Sequence, residues 1–257
     1  MKLEAVTKIL DDVAPLRYAE KWDNVGLLVG DPDAEIRRVL VTVDYTRGVA
    51  DEVQGDCDLV IAYHPPMFAA VKRVPHEALW AEAVRKGIAL YSPHTALDVA
   101  PGGTNDFLGD ACAMTSREAI RRFSAEEPAV IGLGRVGDVA PTTLADLVAR
   151  LKPALGLGHV LVAGDLAHPV RRVAVAAGAG GELLNDATRA RADVFLTGEM
   201  RHHDALAAVA RGTAVIATMH SNSERAAVRA YARTLAARLV DLVVRFSEAD
   251  ADPFVFV

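Results

Sequence analysis

Aromatic side chains are scarce in this sequence, cysteine is almost missing, and neither a basic run nor a long apolar run interrupts its mixed polarity. Phe, Trp and Tyr make up 5% of a chain that is 51% hydrophobic. Small and aliphatic side chains must therefore fill the interior, as they do where helices pack on parallel sheets. The two cysteines, Cys57 and Cys112, lack CxxC spacing; this excludes a thiolate zinc knuckle and leaves two reduced, buried thiols as the reading. No stretch of about 18 uncharged apolar residues is present to span a membrane. Met1-Lys2-Leu3-Glu4-Ala5 sets an acidic residue where a secretory leader has a basic and then an apolar run, so a cytoplasmic location is expected. The net charge is −6 with the basic residues scattered, which disfavours binding along a nucleic-acid backbone. There is no GxSxG elbow and no P-loop. Gly132-Leu133-Gly134-Arg135-Val136-Gly137 resembles a dinucleotide fingerprint only superficially. Its first glycine lies inside a strand pattern, and Pro141 delays any following helix.

What the chain does hold is a repeated alternation. Val6, Ile9, Leu10 and Val13 recur at helical spacing and predict a helix over residues 3–14, ended by Pro15. Short β-branched runs follow and predict buried strands at Val39–Val43, Leu59–Ala62, Ile88–Tyr91, Val130–Leu133, Val160–Ala163, Val173–Ala176, Val194–Leu196, Ala214–Ala217 and Leu242–Val244. Helical patterns at Glu77–Arg85, Thr143–Leu151, Gly181–Arg189, Asp204–Ala210 and Ser223–Ala237 separate several of these strands. The expected class is α/β, with mostly parallel sheets and flanking helices. The polar stretch 115–128 predicts a boundary between an amino-terminal lobe, 1–124, and a carboxyl-terminal lobe, 125–257.

Chemistry gathers after the strands. Val39–Val43 stops at Asp44, Leu59–Ala62 runs into Tyr63-His64-Pro65-Pro66, and Ile88–Tyr91 leads to His94 and Asp98. Val194–Leu196 leads to Glu199, His202, His203 and Asp204; Ala214–Ala217 leads to His220 and Glu224. Open α/β sheets place ligands at carboxyl strand ends. His94 with Asp98, and His220 with Glu224, are four residues apart, which at a helix start presents both side chains on one side. Imidazole with carboxylate suits Zn, Mn, Fe or Ni. Taken singly, each histidine also fits a hydrogen-bonded loop residue. Tyr63 fits a packed amphipathic side chain as well as a ligand, and His203 fits a substrate-orienting residue or a helix cap. Gly102-Gly103-Thr104-Asn105-Asp106 reads as a turn entering a helix.

Together with Trp22-Asp23-Asn24-Val25-Gly26-Leu27, Gly198-Glu199 and Ser223-Glu224, these segments resemble, in order and over nearly the whole chain, the Nif-three-like dinuclear metal-centre family, which includes GTP cyclohydrolase I type 2 homologues. The resemblance implies a two-lobed α/β subunit, a ring-shaped homohexamer, and a centre of one or two divalent metal ions between amino- and carboxyl-terminal motifs. Its ligands map onto His64, His94, Asp98, His220 and Glu224, while Tyr63 occupies a position that is usually histidine. The extra middle domain of longer members is lacking. The implied activity is a metal-dependent hydrolase acting on a small anionic substrate of nucleotide or phosphoester type, with His203 or Glu199 moving protons and Lys72, Arg73 and Arg201 available to an anion. The alternative is a non-catalytic metal-binding scaffold or regulatory interaction protein.

Overall fold

A computed structural model describes all residues except Gln54, Asp56 and Phe256. The elements begin with α1 (Leu3–Val13), β1 (Gly26–Val29), β2 (Arg38–Thr42), α2 (Arg47–Glu52), β3 (Leu59–Ala62), α3 (Leu79–Lys86), β4 (Ala89–Ser92) and α4 (His94–Val99). They continue with α5 (Thr104–Ala111), β5 (Thr115–Glu118), β6 (Arg121–Arg122), β7 (Gly132–Leu133), β8 (Arg135–Thr143), α6 (Leu144–Leu155), β9 (Leu161–Ala163) and β10 (Pro169–Ala176). The last are α7 (Leu184–Arg189), β11 (Val194–Thr197), α8 (His202–Ala210), β12 (Ala214–Ala217), α9 (His220–Arg238) and β13 (Val243–Phe246).

The chain divides into two compact units, Met1–Leu97 with Val228–Val257, and Asp98–Ala227. The expected boundary at 124/125 is therefore displaced, and for a physical reason. The polar stretch 115–128 supplies β5 and β6, and β5 pairs with β8 inside the second unit. β13 returns to the first unit and pairs in parallel with β2.

The first unit's sheet has the order β1-β4-β3-β2-β13. All its pairings are parallel except β1 with β4. Its central strands are uninterrupted apolar runs, and Leu59, Val60, Ile61 and Ala62 of β3 are buried, as a parallel strand covered on both faces requires. Leu3, Val6 and Leu10 line the buried stripe of α1.

The second unit's sheet has the order β5-β8-β10-β11-β12-β9. Its core, β10-β11-β12, is parallel, while β5, β8 and β9 join antiparallel. This sheet is mixed rather than mostly parallel. β8 escapes sequence reading because Arg135–Thr143 carries Gly137, Asp138 and Pro141; the proline is accommodated opposite a register break between Val170 and Arg172. No strand–turn–helix follows Gly132-Leu133-Gly134. Instead the fully buried Arg135 side chain donates to Asp106 Oδ1 at 2.7 Å and to the carbonyls of Gly132 and Gly134, both at 2.8 Å. α6 begins at a Thr143 cap that accepts from the Asp146 amide and stops at left-handed Gly156. No helix among the described residues is long and apolar enough to cross a membrane.

Candidate metal centre

In the first unit the ladder of β3 runs two residues beyond the strand, because Tyr63 N–H donates to the Thr42 carbonyl and His64 N–H to the Val43 carbonyl. Pro65 and Pro66 cannot donate and end it. This holds His64 at the carboxyl end of the sheet, where its Nδ1 meets Asp44 Oδ1 at 2.9 Å; Asp44 follows the end of β2. β4 delivers His94 through Pro93. His94 has φ +25°, a conformation that costs a non-glycine residue about 1–3 kcal/mol.

Asp23 offsets that strain. Its carboxylate accepts from His94 Nδ1 at 2.8 Å, from the Thr95 amide at 3.1 Å and from Thr95 Oγ1 at 2.5 Å, and its side chain is fully shielded from solvent. Burial opposes the charge most strongly, but the hydrogen bonds from His94 and Thr95 overcome it and hold the Asp23 pKa below the usual carboxylate range. The His64 and His94 rings lie 5.3 Å apart, and buried Tyr63 packs on both, at 4.9 and 5.5 Å.

In the second unit Asp98 receives the Thr104 hydroxyl. Asn105 Nδ2 donates to the Asp98 carbonyl at 3.0 Å, while its Oδ1 accepts from the Ala177 amide at 2.9 Å. The glycine-rich turn before α5 thus positions Asp98. Met219, left-handed at φ +73°, redirects the chain into α9. There His220 and Glu224, one turn apart, approach to 3.4 Å between Nε2 and Oε1, and His220 Nδ1 meets Glu199 Oε1 at 3.0 Å. The pair offers an imidazole and a carboxylate, donor types that suit a divalent transition-metal ion.

The backbone comes close beneath this pair. Gly178 has φ +62°, and a Cβ on it would lie 2.6 Å from Glu224 Oε1 and 3.3 Å from His220 Nε2. A Cβ on Gly198 would lie 2.9 Å from Ser223 Oγ and 3.0 Å from His220 Cα. Ser223 Oγ completes the cradle by accepting from the Gly178 amide and donating to the His220 carbonyl, at 2.8 and 2.7 Å.

The structure thus associates His64 with His94, and His220 with Glu224, each pair within one unit. Glu199, expected as a proton carrier, lies with its carboxylate on His220 Nδ1. His203 is exposed on α8 with its ring against His202, 5.3 Å away. Sequence reasoning missed Asp23 as the residue that orients His94, and it missed Gly178 and Ser223. The signal for Asp23 was present in Trp22-Asp23-Asn24 but carried no role there.

In each imidazole the carboxylate partner can only accept, so in the neutral ring Nδ1 carries the proton and Nε2 the lone pair. A family model described as Duf34/NIF3 (NGG1p interacting factor 3) matches residues 1–253. A NIF3-like protein 1 from Drosophila melanogaster is 38% identical over 270 residues, covering 100% of this chain and 89% of the relative. A Clostridium perfringens protein named GTP cyclohydrolase 1 type 2 homolog is 29% identical over 266 residues, covering 100% of both. The crystal structure of a Staphylococcus aureus hypothetical protein, SA1388, superposes with a TM-score of 0.89 at 26% identity, covering 100% of this chain and 99% of that one. The chain belongs to the Duf34/NIF3 family.

Proposed function

We propose that this chain binds one or two divalent transition-metal ions through His64, His94, Asp98, His220 and Glu224, and that it is a hydrolase acting on a small anionic substrate of nucleotide or phosphoester type. The observation that carries the reading is a shared one. His64, His94 and His220 each engage a carboxylate at Nδ1, the outer contact that metal-ligating imidazoles make almost without exception. The donor set, imidazole with carboxylate, suits Zn, Mn, Fe or Ni. When bound, such an ion supplies Lewis acidity and lowers the pKa of a water from about 15.7 toward about 7. The chain's own part is to fix direction: Asp44, Asp23 and Glu199 set the tautomers of the three imidazoles. Gly178 and Gly198 let Glu224 and His220 approach the backbone, and His203 on exposed α8 is the imidazole placed to exchange protons with solvent. The name of the Clostridium perfringens relative points the substrate class toward nucleotides. The homohexamer implied by the resemblance is part of the proposal and is read by sedimentation.

The test is metal content per subunit by mass spectrometry, joined to a hydrolysis screen on nucleotides and generic phosphoesters. Turnover that vanishes on chelation and returns with Mn or Zn is the expected result. Stoichiometric metal without turnover on any substrate would leave the non-catalytic scaffold, a reading favoured by the engagement of Glu199 with His220. Protein that takes up no metal sinks both.

A further inference from the structure

We propose that Trp22 and Phe68 form a stacking subsite for a planar heteroaromatic ring beside His94, so that the protein selects a nucleotide-like ligand over a ring-free phosphoester; the proposal rests on the metal-binding reading for its place in the chemistry. Both side chains are of the kind a fold buries, yet Trp22 is 58% exposed and Phe68 56% exposed. They are nonetheless ordered against one another, with ring centroids 5.8 Å apart and planes inclined at 48°. Both also meet the His94 ring, at 6.0 and 6.5 Å, each at 75° to it. A wedge of two aromatic rings thus stands against the imidazole whose Nδ1 is committed to Asp23.

The wedge is braced by the residues that brace His94. Trp22, Asp23 and Asn24 are consecutive: Asp23 orients His94 and Thr95, and Asn24 Nδ2 donates to the Met67 carbonyl at 2.5 Å, fixing the residue before Phe68. The same three residues therefore set the platform, the imidazole and the facing loop. The adjoining sequence carries cations among exposed apolar side chains, Val71 and Val74 flanking Lys72 and Arg73. Lys21 precedes Trp22, and exposed Lys72 and Arg73 lie four and five residues after Phe68. Lysine is depleted at the centres of protein docking faces, whereas positive charge with an aromatic face is what binds a base carrying phosphate.

The test titrates GMP, ribose 5-phosphate and inorganic phosphate into metal-loaded protein by calorimetry, with Trp22 fluorescence in a Trp80→Phe background as a second readout. GMP is expected to quench Trp22 and to bind at least about tenfold more tightly than ribose 5-phosphate. Trp22→Ala and Phe68→Ala should each abolish that preference, Trp22→Phe should retain most of it, and metal content should be unchanged in all three. Equal affinity for GMP and ribose 5-phosphate, absence of GMP binding, or GMP affinity unchanged in Trp22→Ala overturns the subsite. Metal-loaded protein without ring preference spares the metal reading; metal-free protein that still prefers GMP spares the subsite and removes the metal reading.

Discussion

In the first unit His64 and His94 lie among aromatic rings, and the Asp23 side chain that holds His94 is fully shielded; in the second unit His220 is 39% exposed and its partner Glu199 57% exposed. His94 is therefore oriented by a hydrogen bond that water reaches poorly, whereas Asp44, which holds His64, is 40% exposed. The second unit's pair has an exposed hydrogen bond to Glu199 and is oriented besides by backbone shape, with left-handed Met219 before α9 and glycines at 178 and 198 letting the backbone press against the side chains. Two physical devices yield the same outcome, a preset imidazole, and they differ in what breaks them.

The largest effect is expected from Gly178→Ala. The new Cβ meets Glu224 Oε1 at 2.6 Å on a backbone at φ +62°, so a stability loss of about 2–4 kcal/mol should accompany loss of metal by the second unit's pair. Chemical denaturation and metal analysis read both. A variant as stable and as metallated as wild type would show that the close backbone is not part of the cradle.

The comparison itself is sharpened by Asp23→Ala against Glu199→Ala. Loss of an outer carboxylate costs about 10–100-fold in metal affinity; the shielded Asp23 should fall within that range, and Glu199, which water can replace, below it. Competition against a chromophoric chelator measures the two constants, and equal losses would erase the distinction between the units.

The smallest effect concerns the first unit's stability alone. Burial opposes the Glu52 charge most, but Ser247, the Ala249 amide, Arg245 and the Glu248 amide together hold its pKa below the ordinary 4.5. A carboxylate whose folded pKa is depressed stabilises fully above its unfolded value, and that contribution is lost as pH falls below 4.5 toward the folded value. Glu52→Gln should cost about 1–2 kcal/mol at neutral pH and flatten the melting temperature's dependence on pH below that point. Parallel pH profiles for variant and wild type would show that Glu52 does not link α2 to the segment after β13.

Legibility in the sequence followed burial. β3 and β12, Leu59–Ala62 and Ala214–Ala217, are found where their apolar runs predict them, because a strand covered on both faces has no polar position to blur it. β1 and β8 were not found: the first is short and begins at Gly26, and the second mixes buried and exposed positions with a proline. Among the candidate ligands, the spacing of His220 and Glu224 is local and survives as a contact of 3.4 Å, since one helical turn fixes it. Asp23 lies 71 residues from His94 in sequence, and no local pattern can express such a partnership.

By itself, then, the sequence determined the α/β class, the strand ends that carry imidazoles and carboxylates, and the family, because period, burial pattern and ordered motifs are local properties of a chain. Only the tertiary structure decided that β13 belongs beside β2, that Glu199 holds His220, that Asp23 holds His94, and that the backbone at Gly178 lies close against Glu224. Pairing of strands some two hundred residues apart and contacts of 2.8–3.0 Å between distant residues arise only when packing closes the loops between them, at an entropic cost that no residue's own preference encodes.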